Sequence, residues 1–453
     1  MNMKVFDKLK WIVLGLLLTV LFVTFLYDDL VITYNHSLNF LDCLFSGNFF
    51  GFYDYTMEHF CLGYPADYYV LIYIIFAVWN LPTWLLTKLF GIDPNCILAL
   101  LWAKAILLPF IMGCFYIIHK MFEVIEEKDT EHLYFMISSS LLFVLPIFAM
   151  SQYDIISLFF LLWGLYYCMK DNEVPWKAIV LFAAAIPIKI LAVFPVLLMI
   201  VLKEKRIVEI VKKMVCSMLG LFICVLPYID NEGFQKAITY NGGWFGKLSE
   251  QVLPSGWSGI SIFWLCFFAL CIIAYMAKQN TIKEYFEQVV WLLAALYFVF
   301  FIFVAAHPQW TVLLVPFMVL MTKNRNQYYK LNMLLEIIAS VCLVISQAYN
   351  FHWVYFTDIT SWLLLKNVAE KSNLLWITSL RDIGFVESLI PMLNAGYLAA
   401  VIGLLVINNP WKRLRTANIS DQEHDSIKRG IDVTRILAIL GYLLVTFLIV
   451  YVV

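Results

Sequence analysis

A chain of 453 residues that is 63% hydrophobic and 14% charged, with 37 Phe, 25 Tyr and 15 Trp and a mean hydropathy of +0.83, is not a soluble globular protein, whose charged share is about a quarter. Its 31 basic and 32 acidic residues leave a net charge of -1, so no basic face is available for nucleic acid. Polar stretches of at most about 25 residues exclude an attached soluble domain, and recurring apolar runs of about 18 or more residues each suffice to cross a hydrocarbon core as a helix.

The composition therefore predicts an all-α, polytopic integral membrane helical bundle. Lys4, Lys8 and Lys10 precede an apolar run from Trp11 to Tyr27, which reads as an uncleaved signal anchor because Asp28-Asp29, not a small-residue cleavage site, follows it. The stretch from Asp28 to Ile97 holds seven acids and one base, Lys88, and is placed outside. Basic clusters at Lys203, Lys205, Arg206, Lys212 and Lys213, at Lys323, Arg325 and Lys330, and at Lys412, Arg413, Arg415, Lys428 and Arg429 are placed in the cytoplasm with the N-terminus.

Spans are expected at 11–27, 98–119, 132–150, 153–169, 178–188, 191–202, 212–229, 257–277, 288–305, 308–322, 331–349, 388–407 and 433–453, which makes about 11–13 transmembrane segments. The pair 178–188 and 191–202, broken by Pro187 and Pro195, is too short for two crossings and suits a helix-turn-helix with Lys189 at its apex. The apolar run from Tyr68 to Phe90 contains Pro82 and is read as juxtamembrane helix within the first outer loop. Seven of the ten Cys lie in apolar runs, while Cys43, Cys61 and Cys96 fall in that loop; a Cys43–Cys61 disulfide is left open, and no spacing suggests a metal site.

Polar residues at the outer ends of helices carry the chemistry. Asp28 and Asp29, at the mouth of the first helix, can serve as a general base toward an attacking hydroxyl, although acids also flank outward-going helices as solvated groups. Lys189 can stabilise the charge that develops on a phosphate leaving group, or can snorkel. Gln152 and Asp154 can hydrogen-bond sugar hydroxyls, with helix capping the stronger expectation for Asp154. His307 and Gln309 can touch a donor headgroup, and Trp244 can stack on a sugar ring or anchor at the interface.

Taken in order, Asp28-Asp29 with Ile32-Thr33-Tyr34, Ser151-Gln152-Tyr153-Asp154, Ile188-Lys189-Ile190-Leu191 ahead of Phe194-Pro195, and Ala306-His307-Pro308-Gln309-Trp310 followed by Pro316 resemble elements of the glycosyltransferase C superfamily. These integral membrane enzymes use polyprenyl-phosphate sugars. The second element is similar to one in the dolichol-dependent glucosyltransferases, and the last two to elements of the GPI mannosyltransferase I group. Two departures are an absence of Arg from the first loop and the lack of a second Pro after Tyr64-Pro65.

The resemblance implies a catalytic module over residues 1–322, with its first outer loop at 28–97, and leaves the helices of 323–453 unassigned. It implies transfer of a hexose, in the manner of a mannosyltransferase of cell-envelope polysaccharide synthesis, to an extracytoplasmic glycan or lipid acceptor in a bacterial plasma membrane. One base and one attack favour inversion. No cofactor is called for with certainty, and a divalent cation is compatible with the chemistry. The alternatives are a transporter or flippase of a lipid-linked or polar solute, whose charges would lie within spans, and an O-antigen-type polymerase or ligase.

Overall fold

The computed structural model describes residues 3–127, 129–255, 259–304, 306–323, 327–350, 360–362, 384–411 and 420–452. Helix α1 (Met3–Thr24) ends in a short strand, β1 (Phe25–Tyr27), that leads straight into α2 (Asp28–Phe45). Helices α3 (Phe52–Glu58) and α4 (Val70–Phe90) complete the first loop. Then come α5 (Ile97–Ala105), α6 (Leu107–Ile125), α7 (Thr130–Ser139), α8 (Leu141–Val144) with a π turn at Leu145–Ala149, α9 (Asp154–Lys170), α10 (Trp176–Ile188), α11 (Val193–Lys203) and α12 (Ile207–Val225). The remainder comprises α13 (Glu232–Lys247), strands β2 (Val252–Leu253) and β3 (Ile260–Ser261), α14 (Ile262–Met276), α15 (Ile282–Phe303), α16 (Val315–Met321), α17 (Tyr329–Asn350), β4 (Thr360–Trp362), α18 (Gly384–Ile407) and α19 (Asp421–Val452).

The chain is thus a mostly helical, polytopic bundle, and every expected span overlaps a helix. The expected count of 11–13 transmembrane segments is revised: among the described residues seven helices are long and apolar enough to cross a membrane, or eight if the bent pair α7–α8 forms one span. Length and charge account for the difference. Helices α10 and α14 have only 13 and 15 residues, and α1 opens with Lys4, Asp7, Lys8 and Lys10. The 62° break between α7 and α8 occurs where Ser140 turns extended; Pro146 just beyond, lacking an N–H, sits in the π turn.

Two features position the site. Helices α10 and α11 form a hairpin, because their far ends meet: the Val174 N–H donates to the Glu204 carboxylate at 2.8 Å and Lys203 Nζ to the Asp171 carbonyl at 2.7 Å. At about 1.5 Å per residue, the 13 residues of α10 fall short of a full crossing, which leaves Lys189 at the apex. Helix α12 closes on this hairpin through Gly220, where a Cβ would lie 1.8 Å from the Ala183 carbonyl oxygen; only a glycine permits that approach.

Helix α4 is long and apolar enough to cross a membrane, yet it lies along α2. Phe45 stacks on Trp84 at 4.7 Å and Lys88 pairs with Asp42 at 2.7 Å. The loop after α4 then returns to the start of α2, where the Tyr34 hydroxyl donates to the Pro94 carbonyl at 2.7 Å. The segment therefore enters and leaves beside the same helix.

Contacts group the polar residues at two ends of the bundle. One end ties Lys10 to Asp432 at 3.0 Å, Glu127 to Lys323 at 2.8 Å, Asp129 to Lys428 at 2.8 Å and His132 to the Tyr329 hydroxyl at 2.6 Å. Deeper in the bundle Arg435 caps the Met136 carbonyl at the α7 break and pairs with Glu336. The helices beyond residue 323 are thereby locked onto the first module, and β4 pairs antiparallel with β1, Thr360 opposite Tyr27. Asp28, Asp29, Gln152, Asp154 and Lys189 lie at the other end.

Candidate functional site

Asp28 and Asp29 occupy the first turn of α2, where carboxylates also face the positive end of the helix dipole. Burial raises the Asp29 carboxyl from its ordinary 3.8 to about 7, with Asp67, Asp154 and Asp28 pushing the same way and Lys189 opposing them. Asp29 is half-buried by accessible area, and its surroundings still remove enough water for burial to dominate. Asp67 is held next to it by Tyr73, whose hydroxyl accepts the N–H groups of Asp67 at 2.9 Å and Tyr68 at 3.1 Å.

Beside this carboxylate group, Ser151 adopts φ +58°, a left-handed conformation that costs a non-glycine residue energy and that clusters at functional sites. The turn carries the chain from the π helix into α9. Tyr153 there accepts a hydrogen bond from Thr33 of α2 at 2.9 Å, which joins the Gln152–Asp154 segment to the Asp28–Asp29 helix. Asp154 does not cap α9, since no side-chain cap bond forms there. Its Oδ2 instead lies 3.0 Å from Lys189 Nζ, with side chains 1% and 7% exposed.

Lys189 is extended (φ −143°, ψ 108°) between α10 and the 3-10 turn Ile190–Ala192, as the helix-turn-helix expectation required. Its ammonium stands 4.0 Å from the centre of the Trp310 ring, a cation–π contact. The Asp154 contact has ion-pair distance without hydrogen-bond alignment, for neither Asp154 oxygen has a hydrogen-bond partner. Asp154 thus supplies an internal anion beside the ammonium. His307, half-buried with its ring 5.4 Å from that of Trp310, is lowered to about 3 by burial and then by Lys189 and Lys247, and so is neutral near pH 7.

The buried polar atoms around this apex are poorly satisfied. Both amide atoms of Gln152, Ser151 Oγ, the Tyr297 hydroxyl and Gln309 Oε1 are buried without hydrogen-bond partners. Each such group costs about 1–3 kcal/mol when left unpaired, and native proteins rarely leave several together. A small apolar pocket adjoins the apex and is lined by Leu191, Phe194, Phe263, Tyr297, Phe300 and Trp310 among others. Asp28 and Asp29 are not in its walls.

The structure thus draws together Asp29, Gln152, Asp154, Lys189, His307 and Gln309, with Asp28 adjacent. Trp244 lies on α13, and its side chain is outside the described residues. That helix is anchored by Asp54, which accepts from the Gly233 N–H at 2.8 Å and from Asn231 Nδ2 at 2.7 Å. Cys43 and Cys61 are free thiols, so the disulfide left open by the sequence is not formed. Among the described residues no group of three or more His, Cys, Asp or Glu is placed to hold a metal ion.

Asp67, Tyr297 and Lys104 were not singled out from the sequence. The first was one acid among seven in its loop and the second one tyrosine in an apolar helix. Lys104 did carry a signal, being a lone lysine inside an apolar run.

The class that fold and site define is a multi-pass helical membrane protein. The chain matches no family model, and no curated protein or solved structure is significantly similar to it.

Proposed function

We propose that the chain is a membrane glycosyltransferase that takes a hexose from a polyprenyl-phosphate sugar and passes it to a glycan or lipid acceptor on the extracytoplasmic side. The observation that carries the reading is the Lys189 apex: a buried cation paired with Asp154 and facing Trp310, with unpartnered buried polar atoms on Gln152 and Gln309 in the segments that carry those two residues, and with Asp29 within electrostatic reach.

In this reading Asp29, or Asp28 beside it, takes the proton of the acceptor hydroxyl as its oxygen attacks the anomeric carbon. The bond from that carbon to the phosphate oxygen breaks, and the lipid phosphate departs carrying the electron pair, stabilised by Lys189. A single displacement inverts the anomeric centre. Gln152, Gln309 and neutral His307 offer hydrogen bonds to sugar hydroxyls or phosphate. The separation of the basic end from Asp29 supports an extracytoplasmic site and a cytoplasmic N-terminus under the positive-inside tendency.

The test offers purified protein labelled polyprenyl-phosphate hexoses and nucleotide hexoses in parallel. Transfer from the lipid donor is the expected result, and transfer only from the nucleotide sugar would overturn the reading. Activity with a single-sugar donor also separates it from an O-antigen-type polymerase or ligase, which needs a preassembled oligosaccharide.

A transporter or flippase is favoured by one set of observations: the 62° break at α7–α8 and the charges Lys104, Glu336 and Arg435 lying inside helices. Those three charges are bonded within the protein, Lys104 to carbonyls and Arg435 to Glu336 and Met136, which weighs toward scaffold. Uptake or flipping of a labelled lipid-linked sugar by reconstituted vesicles, with no transfer, would move that alternative ahead.

A further inference from the structure

We propose that Asp154 is an exchangeable counterion for Lys189: it neutralises the ammonium while the site is empty, is displaced when an anionic lipid phosphate arrives, and is then received by the Tyr297 hydroxyl. The inference rests on the reading of Lys189 as the lipid-phosphate contact and adds to it a positioning role for two residues.

Three observations carry it. The Lys189–Asp154 contact is close, at 3.0 Å, yet neither carboxylate oxygen of Asp154 is aligned as a hydrogen-bond acceptor. It is an ion pair that directional bonds do not fix. The Lys189 ammonium has the Asp154 carboxylate at ion-pair distance and no aligned hydrogen bond to any described residue, and one side of it faces the Trp310 ring, so donor capacity remains for an incoming oxygen.

The third observation is where Asp154 can go. Tyr297, on α15, lies within electrostatic reach of Asp154, and its hydroxyl is buried without a partner. A buried hydroxyl that donates to nothing is costly, and a displaced carboxylate is the acceptor it lacks. Tyr297 also lines the apolar cavity together with Trp310, the ring that faces the Lys189 ammonium. Exchange is favoured because phosphate and Asp154 are both anions: held together on one buried ammonium they would repel each other in a medium that screens weakly.

Exchange predicts that removing the Asp154 charge tightens phosphate binding, the opposite of what a phosphate ligand or an ordinary structural residue would do. The test measures equilibrium binding of farnesyl phosphate, with farnesol as the uncharged control, to the full chain in nanodiscs. Asp154→Asn should bind farnesyl phosphate about tenfold or more tightly than the native protein, since a like charge is gone, while farnesol binding stays the same.

Tyr297→Phe should weaken farnesyl phosphate binding about threefold to tenfold by removing one hydrogen bond to a charged group. In the Asp154→Asn background the same change should have no effect, because Tyr297 acts through Asp154. Weaker or unchanged binding in Asp154→Asn, or additive effects in the double variant, would overturn the exchange while leaving phosphate binding by Lys189 intact. Loss of binding in Lys189→Met together with either result keeps the site reading. An absence of farnesyl phosphate binding in every form, the native protein included, would remove that reading and the exchange with it.

Asp154→Asn strands a buried ammonium, so its recovery is itself a readout. Purification of a folded variant with farnesyl phosphate but not with farnesol supports the exchange, and failure with both overturns it.

Discussion

Two buried lysines of this bundle show how differently a membrane protein can treat the same charge. Lys104, on α5, donates to the carbonyls of Phe22 at 2.9 Å, Phe25 at 2.6 Å and Phe148 at 2.6 Å. All three N–H groups are used, and two of the acceptors, Phe22 in the last turn of α1 and Phe25 just beyond it, lie where carbonyls lack helical partners and the helix dipole is negative. The lysine fastens α1, α5 and the π turn before α9 to one another. Lys189 has one anion at ion-pair distance and a ring face, with no aligned acceptor. The first ammonium is closed by backbone groups that cannot leave, and the second is held by a side chain that can. The comparison teaches that burial of a charge is weak grounds for function, while its unfilled valence is stronger.

The contrast can be broken most directly at Lys104. Lys104→Met leaves three carbonyls without their donor, and the loss should be about 3–5 kcal/mol of stability, as for a buried charge network deprived of one partner. It should appear as a much lower melting temperature in detergent or as failure to accumulate. A variant with unchanged melting would show that Lys104 is not the fastener described.

Asp29→Asn should lower turnover by about 10²–10⁴-fold as a general base is lost, with melting retained, while Asp28→Asn does less. The pH dependence has a definite sign. On the proposed mechanism ionised Asp29 is the active form, so the rate should rise with pH and level off above about 7. For stability, a carboxyl raised from 3.8 to about 7 in the folded chain holds its proton where the unfolded chain has lost it. Its contribution is therefore fully present below about 4 and disappears as pH rises through about 7, and Asp29→Asn should flatten the fall in melting temperature across that window.

Lys189→Met should reduce turnover by about 10²–10³-fold, the scale of losing one electrostatic stabiliser of a leaving group. Its effect on melting should be smaller than that of Lys104→Met, because it leaves one carboxylate to find Tyr297 or Gln152 where the other leaves three fixed carbonyls. The smallest effect is expected at Trp310→Leu. Removing a desolvated cation–π contact costs about 1–2 kcal/mol, which lipid-phosphate binding should report as a change of about tenfold.

The sequence made the apolar bundle and the Lys189 hairpin legible for a physical reason. Apolar runs and prolines report local backbone needs, and Pro187 and Pro195 together with two short runs leave little choice but a turn. The grouping of Lys10 and Lys323 with Lys428 at the end opposite Asp28 and Asp29 follows from charge asymmetry in the same local way. What stayed hidden is long-range. Asp154 read as a helix cap because its position in sequence is that of a cap; its pairing with Lys189 depends on the hairpin reaching the start of α9. The sequence of helix α2 reads as loop because Asp28, Asn35, His36 and Asp42 dilute its apolar face, although ten of its residues are buried. The contact of the Trp310 ring with Lys189 is long-range in the same way.

The central claim is that the open valence of Lys189 receives a lipid phosphate within reach of Asp29. An electron cryo-microscopy map of the full chain in nanodiscs with a bound polyprenyl phosphate tests it most directly. The account predicts phosphate density against Lys189 Nζ at hydrogen-bond distance of about 2.7–3.0 Å, with Asp154 turned away and the polar face of the phosphate toward Asp29. Density for the phosphate at any other place, with Lys189 and Asp154 still paired, would contradict it.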